Sequence, residues 1–140
     1  MKTWIDRDKT LQELEASNWE DPIVTSQLDQ TCLSLSRKPL KEFTVEDLRT
    51  MIERQLGLSF LVPLAIECLE CNPFARGENH SGDLLLSVLR VNAEFWREHQ
   101  QLLWQFQEVL ISVMPALQTL QSEIIKFVNQ ESRFRRSEEN

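Results

Sequence analysis

The apolar residues of this chain recur at three- and four-residue steps over most of its length, the period of one face of an α-helix. Trp4, Ile5, Leu11 and Leu14 stand near that spacing, and residues 18–22 read as the stop of a short, partly exposed first helix. Over residues 25–35 the stripe Leu28, Cys32, Leu35 predicts a second helix, which ends before Pro39 because a proline disfavours helical geometry in the residue before it. Thr44 with Asp47 three residues on has the form of a capping box, with Asp in place of the longer Glu or Gln, and Val45, Leu48, Ile52 and Leu56 then line one face of a third helix. Gly57 is placed to stop it. Leu58, Leu61, Val62, Ala65, Ile66 and Leu69 form a stripe broad enough to need cover on more than one side, which predicts the central helix of the fold. Pro63 is tolerable near its first turn, and Asn72 with Pro73 marks its end. Gly77, Asn79, His80, Ser81 and Gly82 make a strongly turn-like stretch, with a short apolar helix behind it at residues 84–89.

The C-terminal third is the most regular. Leu103, Phe106, Leu110, Val113, Leu117, Leu120, Ile124 and Phe127 alternate steps of three and four without a slip. Pro115 falls inside this stripe, where a proline costs about 3 kcal/mol. Because the register survives it, one kinked helix is expected rather than two with a loop. Such a stripe could zip a homodimeric coiled coil, but Val109, Ile111, Met114, Ala116 and Ile125 widen it beyond a two-position seam, which favours burial in the domain's own bundle. The resulting picture is all-α: a single compact bundle of about five to seven helices over residues 1–132 with a long, Pro-kinked C-terminal helix, followed by a flexible tail at 133–140.

Composition agrees with helix, since only three glycines and five prolines interrupt 140 residues. The N-terminus lacks the apolar core of a signal peptide, and no apolar run approaches the roughly 18 residues that cross a bilayer, so a cytoplasmic protein is expected. Three cysteines fit a reducing compartment better than a disulfide framework, with Cys32 and Cys68 on apolar helix positions. Fifteen basic residues against twenty-two acidic ones give a formal charge of −7. Phosphate repulsion then argues against nucleic acid or an anionic membrane as ligand, and a basic partner is the natural expectation. The charge is uneven: from Glu42 to Asp83 there are eight acids and three bases.

Candidate chemistry is sparse. Cys68 and Cys71 form a lone Cys-x-x-Cys without the strand-to-helix context of a redox pair or the second pair that holds zinc. His80 with Asp83 could orient an imidazole, but no second base, activated serine, phosphate-binding loop or HExxH accompanies it. Neither an enzyme, nor a metal, nor a cofactor is expected. Of the tryptophans, Trp96 and Trp104 are expected in or half in the core, and Trp19, beside Glu20 and Asp21, is the candidate for exposure.

The run "RKPLKEFTVEDL" at residues 37–48, continuing through "LGLSFLVPLAIECLECNP" to "GDLLLSVLR" and "FW", resembles the immunity proteins of bacterial contact-dependent growth inhibition (CDI) systems. The likeness covers roughly residues 28–96, with "KPL", "VEDLR", "GL", "LVPLA", "NP" and "GDLL" in the family's order; "ENHS" at 78–81 stands where the family commonly has an aromatic-containing turn. The resemblance implies a protein that binds the C-terminal toxin domain of a cognate exoprotein and blocks its active site, the toxin being in many cases a basic nuclease. On that reading carboxylates stand in for the phosphates of the toxin's substrate, and the candidate contact residues are Glu42, Glu46, Asp47, Glu53, Glu67, Glu70, Glu78 and Asp83. The free form is then expected to be a monomer. The competing reading is a helical adaptor or homo-oligomer built on the stripe from Leu103 to Phe127.

Overall fold

The computed structural model describes residues 4–16 and 30–138, with side chains of the last helix through Glu131. In chain order its helices are α1 (Leu11–Glu15), α2 (Gln30–Ser36), α3 (Val45–Glu53), α4 (Leu58–Cys71), α5 (Asp83–Leu89), α6 (Ala93–Glu98) and α7 (Gln100–Glu138), with a 3-10 turn at Leu40–Glu42. Among the described residues there is no strand; the single β contact is an isolated bridge between Arg76 and Ser81. The all-α architecture and the long last helix are those the periodicity predicts. Residues 18–22, the expected start of the second helix at 25–29, and Trp19 lie outside the described residues, as do the side chains of the expected tail.

The helix starts follow from local chemistry. Thr44 accepts the Asp47 N–H at 3.1 Å and Asp47 accepts the Thr44 N–H at 3.0 Å, so the shorter acid does close the box at the head of α3. A second capping box, Thr10 with Glu13, opens α1. That helix begins only at Leu11: Trp4 and Ile5 precede it outside any regular element, in a segment tied to the 3-10 turn by the Lys41 N–H to the Arg7 carbonyl at 2.9 Å and the Leu40 N–H to the Lys9 carbonyl at 3.1 Å.

The end of α3 differs from expectation. The helix stops at Glu53, and Gln55 takes the left-handed position at φ 60°. Its N–H reaches the Ile52 carbonyl and the Leu56 N–H reaches that of Met51, the paired bonds of a Schellman cap. Gly57 does not end α3; it precedes α4, also left-handed at φ 61°. Glycine is needed there twice over, because a Cβ would also lie 2.9 Å from Cδ1 of the fully buried Leu11.

α4 is the centre of the bundle. Leu61, Val62, Ala65, Ile66 and Leu69 are buried on more than one side, and the helix packs against α3, α5 and α7. α3 and α5 form the closest helix pair, joining Leu48, Met51 and Ile52 to Leu84 and Val88. The Pro63 ring costs α4 one hydrogen bond without ending it.

α7 runs unbroken through Pro115, as the surviving register predicts. Its packing does not match expectation. Leu102, Phe106, Val109 and Val113 are buried against the bundle, but every side chain from Met114 to Glu131 is exposed. The stripe is therefore buried only in its first half, because the bundle ends and the helix does not. Trp104 is 60% exposed rather than half in the core. At 100° per residue it points directly away from the side bearing Leu102 and Phe106, and Phe106 takes the place against Trp96, the two rings stacked 5.5 Å apart.

Candidate functional site

The spacing of Glu46, Arg49, Thr50 and Glu53 puts these four on one face of α3, where residues three and four apart meet. Arg49 is the hub. Its Nε and Nη2 donate to the Glu46 carboxylate and its Nη1 donates to Glu53 Oε2 at 2.5 Å. Thr50 adds a hydroxyl bond to Glu46 Oε1 at 3.2 Å. The other oxygen of Glu46 accepts the backbone N–H of Glu78, which fastens the turn before α5 onto α3. Hydrogen bonding to Arg49 holds the Glu46 carboxyl below the usual carboxylate range against the opposing effect of burial, and the same pairing keeps the guanidinium firmly charged.

Asp83 completes the cluster from the other side. As the first residue of α5 it is buried, and its carboxylate accepts the N–H groups of Gly77 at 2.7 Å, Asn79 at 3.1 Å and His80 at 3.3 Å, with Arg49 Nε 3.8 Å away. Burial alone would push this carboxyl up; the backbone donors outweigh it and hold the group below its ordinary value of 3.8. Gly77 has no room for a side chain, because a Cβ there would collide with the Glu46 carboxylate and sit 3.0 Å from Asp83 Oδ2. The turn is thus held by two carboxylates, and its outer surface carries the exposed side chain of Glu78.

Of the eight acids singled out from the sequence, the fold brings Glu46, Glu53 and Asp83 together around Arg49, with Glu78 joined to them through its backbone N–H. Asp47 sits beside them on α3 but is engaged in the cap and in an ion pair with Lys38 Nζ at 2.6 Å. Glu42 is exposed at the end of the 3-10 turn. Glu67 and Glu70 lie on α4, where Glu67 pairs with Arg7. Two open grooves of about 440 and 480 Å3 flank that pair, one between the N-terminal segment and α7 past Trp4 and Leu102, the other past Phe43, Cys68 and Cys71. Arg49 was not singled out, and Gly77 was read only as part of the turn before α5. The Glu-x-x-Arg-x-x-x-Glu spacing at 46, 49 and 53 carried the signal for the first, whereas the second depends on contacts across the fold.

The remaining candidates take ordinary structural positions. The His80 ring is exposed with Nδ1 2.9 Å from the Ser81 carbonyl, so its backbone N–H, not its imidazole, meets Asp83. Cys32 is buried, Cys68 half-buried and Cys71 exposed, and none of the three is in a disulfide. Burial, with the neighbouring Glu67 charge, pushes the Cys68 thiol up, away from the reactive thiolate. Among the described residues no group of three or more His, Cys, Asp or Glu could hold a metal ion, and no helix is long and apolar enough to cross a membrane.

A family model described as CDI immunity proteins matches residues 13–106, from α1 to the second bundle-facing turn of α7. Neither the comparison with curated proteins nor that with solved structures finds a match.

Proposed function

Because the chain belongs to the family of CDI immunity proteins, whose members neutralise a cognate toxin, we propose that it does so in the cytoplasm of the cell that makes it, by binding alone. The partner is a basic nuclease domain, and the contact surface is centred on the acidic face that gathers Glu46, Glu53, Glu78 and Asp83, with Glu42 and Asp47 as further contacts and Glu67 and Glu70 as a separate set on α4. The observation that carries this reading is the gathering of Glu46, Glu53 and Asp83 around Arg49, with Glu78 on the turn they hold. These four acids outnumber the guanidinium groups of Arg49 and Arg90 beside them, so the face keeps a negative potential, and the ordered pairing holds it in shape before any partner arrives.

The roles divide by burial. Asp83 and Glu46 hold the turn, while Glu42, Glu53, Glu70 and Glu78 are exposed and able to meet basic side chains. Placed over a nuclease active site, such carboxylates occupy the positions of substrate phosphates and exclude them.

Reversing three exposed charges in the variant Glu42→Lys, Glu53→Lys, Glu78→Lys tests this with little risk to the core. Association with the cognate toxin domain, followed by stopped flow at low salt, is expected to slow by about tenfold or more. An unchanged rate with an unchanged circular dichroism spectrum removes the acidic face from the interface. Occlusion has its own test, because the toxin's nucleic-acid substrate and this protein then compete for one site; a stable ternary complex excludes it.

A further inference from the structure

The second half of α7 is unaccounted for by the bundle or by the family match, which ends at Phe106. Eight large apolar side chains between Ile111 and Val128 are exposed, from 44% at Leu117 to 67% at Ile111 and Phe127. Leu117, Leu120, Ile124 and Phe127 continue the helix side that packs against the bundle at Phe106, Val109 and Val113, past the point where the bundle ends. No residue from 109 to 122 is charged. Glu123 borders this side and pairs at 3.4 Å with Lys126, which points away from it.

We propose that this face is the seam of a homodimer, in which the α7 helices of two copies cross through Leu117, Leu120, Ile124 and Phe127. Three observations select a second copy as occupant. First, an unbroken alternation of three- and four-residue steps is the pattern of a helix that packs against another helix, and it repeats identically in every copy. Second, at roughly 100 Å2 each the four seam residues with Met114 and Val128 beside them present on the order of 600 Å2, at the top of the roughly 300–600 Å2 of the largest patch on a typical monomer. Third, the seam is uncharged, so it complements itself and not a basic partner. The two bundles, each at formal charge −7, repel and take up space on the same side of α7. An antiparallel crossing places them at opposite ends, and a parallel one forces them together.

Burial of the stripe within its own bundle weighed against a homodimeric coiled coil, and the exposure of the stripe from Met114 on removes that objection.

Sedimentation velocity of the full chain at micromolar concentration tests the inference. The wild type is expected to sediment as a dimer, and the exposed double variant Leu120→Glu, Ile124→Glu as a monomer with an unchanged thermal transition. Four carboxylates forced into an apolar seam are expected to raise the dissociation constant more than about 100-fold. A monomeric wild type, or a variant that still dimerises, overturns the proposal and leaves the face to another partner. If the variant unfolds, Gln121→Arg, which places a charge beside Leu117 and Ile124 without removing an apolar side chain, is expected to shift the dimer toward monomer in the same way. Small-angle scattering of the wild type is expected to resolve two separated lobes; a single compact lobe overturns the antiparallel crossing.

Discussion

Asp83 is the residue at which fold and candidate surface depend on one another. Its carboxylate satisfies three backbone donors of the 77–80 turn while starting α5. Replacing it by asparagine keeps the shape but turns an NH2 group toward N–H donors, and a buried donor left without an acceptor costs about 1–3 kcal/mol. Asp83→Asn is therefore expected to lower unfolding stability at pH 7 by roughly that amount in urea titrations. The pH dependence has a definite sign. A carboxyl held below its ordinary 3.8 in the folded chain stabilises the fold wherever it is ionised in both states, and that contribution is lost as pH falls through the folded value. The gap between wild type and Asp83→Asn should therefore be constant above about pH 5 and close progressively below about pH 4. A gap that persists at acid pH would show that the carboxylate charge is not what holds the turn.

At the scale of elements, α3 carries most of the arrangement: it supplies Glu46, Arg49 and Glu53 and packs against both α4 and α5. Its start rests on Thr44, an exposed residue whose hydroxyl caps the Asp47 N–H while its own N–H donates to Asp47. Thr44→Ala is expected to cost about 1 kcal/mol, typical of a lost N-cap, and to speed amide exchange of the first turn of α3 before that of α4. Uniform acceleration across the bundle would mean that the cap is not a local feature. This helix was largely legible in the sequence, cap and face included. Its end was not, because a Schellman turn closed by glutamine looks like any other polar stretch. Gln55 holds the left-handed position while its side-chain oxygen accepts both N–H groups of Asn92 at 3.0 Å, a contact 37 residues away that no local pattern announces.

At the scale of the whole molecule, charge and apolar surface are segregated. The acids crowd the α3–α5 face and the uncharged apolar surface extends along α7, so the two proposed associations should respond to salt in opposite directions. Attraction between an acidic face and a basic toxin is screened at a Debye length of about 8 Å in physiological salt and about 3 Å at 1 M. Self-association through α7 gains from the same change, because salt damps repulsion between two bundles of charge −7 and leaves apolar contact intact. Raising sodium chloride from 0.05 to about 0.5 M is thus expected to slow toxin association by about tenfold while the dimer dissociation constant holds or falls. Parallel weakening of both would place charge in the α7 seam and contradict its composition.

Periodicity alone determined that this chain is helical, where its central helix lies and that α7 continues across Pro115, because those properties depend on residues one turn apart. The motif order at residues 37–96 likewise pointed to the family before any coordinates. Only the tertiary structure decided which side of each helix is covered. A stripe records that a face is apolar, not how far its neighbours reach, so the same eight-residue pattern is core up to Val113 and surface after Met114. For the same reason a list of acids could not separate Asp83, enclosed by backbone donors, from Glu78 on the outside of the same turn: the distinction is made by contacts between α3 and the 77–82 turn, about 30 residues apart in the chain.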